Sequence, residues 1–184
     1  MTSFSYKRLA GAGVLLSTLL VSTTSISESG PTMTELKAAM FIAIVKSVTW
    51  PETTFSKPTA PFVFGVMGDE AIAGVLSKMT EGKSVFQRRL DVRSISAPAA
   101  SAREVHALLF AGISGTRAKI VLTDVGNVPI LTVGDGPDFL ELGGMVGLVE
   151  EDRKLRFDVN RRNLERSGLK LGSEVLSLAR RVVE

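Results

Sequence analysis

His106 is the only histidine of the chain, and cysteine is absent. Proton transfer near neutral pH falls most readily to imidazole, so a general base would have to be sought at His106. Its setting argues for another role. It lies in Val105–Phe110 (VHALLF), a compact apolar stretch in which a histidine satisfied at a strand edge is the simpler reading. A Ser-His-Asp hydrolase would also need its serine on a strand-to-helix elbow of G-x-S-x-G form, and Gly112-Ile113-Ser114-Gly115 has the wrong spacing. Transition-metal centres take several imidazole or thiolate ligands, and this chain supplies one such side chain. Glu150, Glu151 and Asp152 stand together as a solvated hairpin turn would have them. No catalytic residue, metal ligand or cofactor is predicted.

Gly65-Val66-Met67-Gly68-Asp69 has the strand–turn–helix setting that suits an anion at a helix start. Asp69 would repel that anion, so the glycines read as turn geometry. No dinucleotide fingerprint or phosphate loop follows a strand. Basic side chains gather at Arg153, Lys154, Arg156, Arg161, Arg162 and Arg166. A solvated face is the default reading for them, with a docking surface for an acidic partner or headgroup as the alternative.

The elements that would carry these residues alternate between helix and short apolar strand. A helix is expected from Glu35 to Val48, capped by Thr34 and ended by Trp50-Pro51. Its middle, Ala38–Val45 (AAMFIAIV), has no polar residue, so it must be covered on more than one side. Either it is a core helix or one face docks on a second subunit or partner, which singles out Met40, Phe41 and Ile44. Phe62–Met67 reads as a strand buried on both faces, and Asp69 caps a helix from Glu70 to Met79. A polar crossing at Lys83–Arg89 leads to a strand at Leu90–Ser94, then a small-residue loop at Ala97–Ala102. Ser101 and Glu104 have capping-box spacing, predicting one helical turn before a strand through Phe110.

A helix follows over Thr116–Val125, and Ile130–Val133 is a further interior strand. Gly134–Pro137 turns the chain, and a brief helical turn runs through Phe139 to Leu142. Met145–Val149 and Lys154–Val159 then form a hairpin with one wet face. In it Leu155, Phe157 and Val159 point inward, while Lys154, Arg156 and Asp158 point outward. Asn160 caps a helix to Ser167, closed by Gly168. Ser173 caps a last helix with Val175, Leu178, Ala179 and Val182 on one stripe. The sum is a single α/β domain: a mainly parallel sheet flanked by helices on both faces, with a C-terminal β-hairpin.

The first residues are set apart from this domain. Lys7 and Arg8 precede an uncharged apolar run, Leu9–Val21, and small residues follow to Ser27. This is the layout of a secretory signal peptide, cleaved near Ser27, with 28–34 a tether and 35–184 the domain. The run is short for a membrane-spanning helix, which takes roughly 20 residues. Removing Lys7 and Arg8 from the 22 basic residues leaves 20 against 19 acidic ones, which gives no reason to propose nucleic-acid binding. With 45% apolar residues the chain can bury a core without disulfides.

The ordered pieces resemble the YfiR-like family. They are Lys37-Ala38-Ala39-Met40-Phe41 with Trp50-Pro51, Gly68-Asp69, Leu131–Asp135 (LTVGD), Gly143-Gly144-Met145, Arg156–Asn160 (RFDVN) and the closing Leu176–Val182 stretch. The resemblance implies a periplasmic, non-catalytic α/β regulator that forms homodimers. Its implied partner is the periplasmic part of a membrane diguanylate cyclase, which it holds inactive and so lowers cyclic-di-GMP. Related domains serve as sensory modules of membrane histidine kinases, which makes a small-molecule sensor acting on a kinase or transporter the alternative. Some relatives carry cysteine pairs, and this chain has none. The motifs look structural, so no active site is carried over. Arg156 and Asn160 are the residues singled out for a polar interaction surface.

Overall fold

The computed structural model describes residues 30–184 other than 56, 58 and 97–101. The leader and its cleavage point lie outside the described residues, as does the 97–102 loop except Ala102, which is buried.

Helix α1 (Met33–Lys46) starts two residues earlier than the apolar pattern predicts. Thr32, not Thr34, is the cap. Its hydroxyl accepts the Glu35 N–H at 3.2 Å while Glu35 accepts the Thr32 N–H at 2.8 Å, a reciprocal box that Thr34 has no acid to complete. The helix ends at Lys46 because Val48–Thr49 is extended as β1, pairing with β9 (Lys170–Leu171).

The other strands are β2 (Phe62–Gly68), β3 (Ser84–Val85), β4 (Arg88–Ser94), β5 (Ala107–Ala111), β6 (Leu131–Asp135), β7 (Val146–Glu151), β8 (Lys154–Asn160) and β10 (Arg181–Val183). These eight form one sheet in the order β3-β4-β2-β5-β6-β7-β8-β10. All its pairings are parallel except the β3–β4 and β7–β8 hairpins. Every residue of β5 and all but the last of β2 are buried, as continuous apolar runs require when both sheet faces are covered.

Four helices cover one face and one covers part of the other. On the first face, α1 and α2 (Glu70–Thr80) pack Phe41, Ile44 and Leu76 against Phe64, Leu109, Val133 and Val159. Leu164 of α4 (Arg161–Arg166) and the inner side of α5 (Ser173–Leu178) complete this core. Each large side chain buried here contributes about 1.5–3 kcal/mol. On the second face α3 (Gly115–Val125) packs Ala118, Val121 and Leu122 on Val63, Met67, Leu108 and Phe110. That second cluster includes no residue of β7, β8 or β10.

Two expectations at the C-terminal end need correction. The last helix stops at Leu178, its cap is Gly172 without a side-chain bond, and Leu178 is 69% exposed. From Ala179 the backbone is extended, Arg180 N–H donates to Phe157 O at 2.8 Å, and β10 adds in parallel to β8. A continued helix would have left the backbone of β8 as an unpaired edge. Asp158 is the second correction. The alternation places it on the outer face as predicted, yet it is fully buried, because Arg180 and Arg181 lie over it.

Candidate functional site

Open parallel sheets take ligands outside the carboxyl ends of their strands, so that end is the first place to look for a site. Here Asp135, the last residue of β6, accepts a hydrogen bond from Lys37 Nζ of α1 at 3.0 Å. Its other oxygen is buried without a donor. A cavity of about 180 Å³ lies beside it, lined by Phe110, Gly112, Asp135, Phe139 and Leu142 among others. Phe139, which lines this cavity, is itself seated against two glycines. A Cβ on Gly134 would stand 2.4 Å from the Phe139 ring and one on Gly144 2.1 Å from it. Those two glycines of the LTVGD and GGM motifs therefore make room for one aromatic ring.

At the opposite end of β5, His106 ties strand to ring. Val63 N–H donates to His106 Nδ1 at 3.0 Å, so the neutral ring carries its proton on Nε2. The imidazole stacks on Phe55 at 5.1 Å and lies 4.9 Å from Phe62. Burial, and then the nearby Arg88 and Arg93 guanidiniums, push its pKa below the ordinary value. Ser114 stands beyond the other end of the strand, where its hydroxyl accepts Arg117 N–H and caps α3. A nucleophile–base pair of these two is thus ruled out by five residues of intervening strand. Among the described residues no group of three His, Asp or Glu side chains is placed to hold a metal ion, and no helix is long and apolar enough to cross a membrane.

The residues singled out for partner contact do not share a surface. Phe41 and Ile44 are core residues, with exposures of 0% and 1%. Met40 is half-buried against the same core, on the α1 face of the sheet. Asn160 is occupied as the cap of α4, accepting Asn163 N–H at 3.0 Å. Of these, Arg156 alone is exposed, on the opposite face of β8.

Around Arg156 the structure assembles residues that the strand pattern left scattered. The register places Val149, Glu151, Lys154, Arg156 and Asp158 on one face of the β7–β8 hairpin, with Arg181 and Val183 of β10 alongside. Asp158 accepts from Arg180 Nε at 2.9 Å and Nη2 at 2.7 Å, and forms an ion pair with Arg181 Nε at 3.3 Å. Arg180 also stands 3.9 Å from Glu151. The hydrogen bonds to Asp158 raise the Arg180 pKa further above its ordinary value. Sequence reasoning missed Arg180 and Arg181 because it read them as part of a helix. The one available signal was a lone acid in RFDVN and an arginine pair in the last residues.

A family model described as YfiR/HmsC-like matches residues 34–180, from the start of α1 to the arginine over Asp158. The chain belongs to the YfiR/HmsC-like family. Its fold, accordingly, is that of a mixed α/β domain with a mostly parallel central sheet, and the family's domains act as periplasmic regulators in cyclic-di-GMP signalling. Two solved structures share the fold. One is a conserved domain protein from Vibrio cholerae O1 biovar El Tor, with a TM-score of 0.60, 11% identity, and coverage of 82% of this chain and 60% of that one. The other is an ABC domain in complex with L-Trp from Streptococcus pneumoniae, with a TM-score of 0.58, 12% identity, and coverage of 79% and 60%. This YfiR/HmsC-like chain thus spans 60% of the length of either neighbour. A search of curated proteins finds no match.

Proposed function

We propose that this protein is an exported, non-catalytic regulator that binds the periplasmic sensor part of a membrane diguanylate cyclase and represses it, lowering cyclic-di-GMP. The family match over residues 34–180 carries this reading. Two features support it: His106 is engaged in holding β2 to β5, and the motif glycines serve packing. The test is deletion of the gene with measurement of cellular cyclic-di-GMP. The level rises and the full-length protein supplied in trans returns it; an unchanged level defeats the reading.

A second reading is a small-molecule sensor that acts on a histidine kinase or transporter. The cavity beside Asp135, at the strand ends where such sheets take ligands, favours it. A ligand of the native state raises the melting temperature by mass action, so a thermal-shift screen of small metabolites decides it. No shift with any compound removes this alternative.

A further inference from the structure

We propose that the sheet face built by β7, β8 and β10 is a docking surface for an acidic patch on a partner protein, with Lys154, Arg156 and Arg181 as the contacting cations. The inference rests on the reading of this chain as a partner-binding regulator, and not on that partner being a cyclase.

Helix α3 and its cluster cover β2 and β5 and stop short of this end of the sheet, so the face stays open. Lys154, Arg156, Arg180 and Arg181 stand on it against two carboxylates, of Glu151 and Asp158. Asp158 is fully buried and held by two of the guanidiniums. Burying a carboxylate is expensive, and a buried ion pair adds little net stability for that cost. What the arrangement secures is position: Arg180 and Arg181 are pinned to the sheet. Arg181 keeps a half-exposed guanidinium for an outside carboxylate, and Arg156 and Lys154 make no ion pair among the described residues.

The composition of the face selects the occupant. Val183 is 37% exposed beside Arg181, so apolar surface lies among the cations. A polyanion backbone or a free phosphate has no use for it. A protein surface does, since interfaces combine arginine with apolar contact and exclude water around both. Charge complementarity then sets the sign of the patch that fits: carboxylates.

The test places a photo-crosslinking benzoylphenylalanine at position 183 in the full-length protein, in its native host, with position 120 on α3 as the control. Irradiation yields a protein adduct at 183 and not at 120, and the crosslinked peptide of the partner carries Asp or Glu. Arg156→Glu and Lys154→Glu, each removing no ion pair, cut the adduct yield about tenfold, equivalent to roughly 1.4 kcal/mol, while the melting temperature stays unchanged. Replacing the partner's carboxylates by lysine restores the adduct with the Arg156→Glu protein. Equal adducts at 183 and 120, an adduct to lipid alone, a peptide without carboxylates, or yields indifferent to charge reversal would each overturn the proposal. If the partner identified is no cyclase, the docking surface stands and the cyclase reading falls. If deletion raises cyclic-di-GMP but no charge-dependent adduct forms, the reverse holds.

Discussion

Lys37 and Asp135, 98 residues apart, meet at 3.0 Å where α1 crosses the end of β6, each side chain less than one-third exposed. The ion pair joins two short motifs that the linear chain keeps far apart. It also leaves one Asp135 oxygen buried without a donor, so the carboxylate depends on the lysine.

Lys37→Met therefore destabilises the protein by about 1–2 kcal/mol, since it strands a part-buried carboxylate. The double variant Lys37→Met/Asp135→Leu recovers part of that loss. A urea-melt double-mutant cycle reads the coupling, and additivity would show that the pair contributes nothing.

Gly144→Ala costs about 1–3 kcal/mol, because the added methyl would meet the Phe139 ring at 2.1 Å in a packed core. The companion Gly144→Ala/Phe139→Leu recovers most of it. A single variant as stable as the parent would show that the ring moves freely.

His106 has a lowered pKa in the fold, so the unfolded chain binds the extra proton first as pH falls. Stability contributed by the neutral ring is fully present above the ordinary value of 6.5 and declines as pH drops below it, until the folded form protonates in turn. The loss in melting temperature between pH 7.5 and 5.5 is consequently smaller in His106→Gln than in the parent. Equal losses would count against this account of His106.

Phe86 and Gln87 hold φ angles of 51° and 60° in the two-residue turn between Val85 and Arg88, a geometry that favours Asn-Gly. Phe86 is kept there by its contacts with Trp50 and Phe62, at 5.6 and 5.8 Å. Gln87 has no such contact, so Gln87→Gly stabilises by about 0.5–1 kcal/mol in a denaturant melt. A loss of stability would show that the turn is not strained.

Asp158→Asn lowers the melting temperature by several degrees, because the arginines over β8 lose a charged acceptor. Proteolysis at the C-terminal end should quicken as β10 loosens. A melting temperature and cleavage rate equal to the parent's would show that β10 is held by its backbone bonds alone.

Much of this fold is legible in local patterns. Phe62–Met67 is apolar without alternation, as a strand covered on both faces should be, Val105–Phe110 suits such a strand as well as it suits a helix, and Asp69 and Asn160 cap the helices they precede. Elements of two or three residues are not legible. A strand such as Val48–Thr49 has no period to detect and exists because Lys170–Leu171 lies beside it. The same limit hid the true cap of α1, where the reciprocal bond between Thr32 and Glu35 outweighed the apolar pattern.

The amino-acid sequence by itself determined the parallel α/β layers, because burial on both faces demands continuous apolar strands whatever their neighbours. It also determined the shortage of imidazole and thiolate chemistry, which is a matter of inventory. Tertiary structure alone decided the role of the last residues. Ala179–Val183 has apolar side chains at helical spacing, yet the open edge of β8 and the buried charge of Asp158 drew it into an extended strand. The free energy of pairing that edge and that carboxylate depends on residues more than twenty positions away, which no local period records.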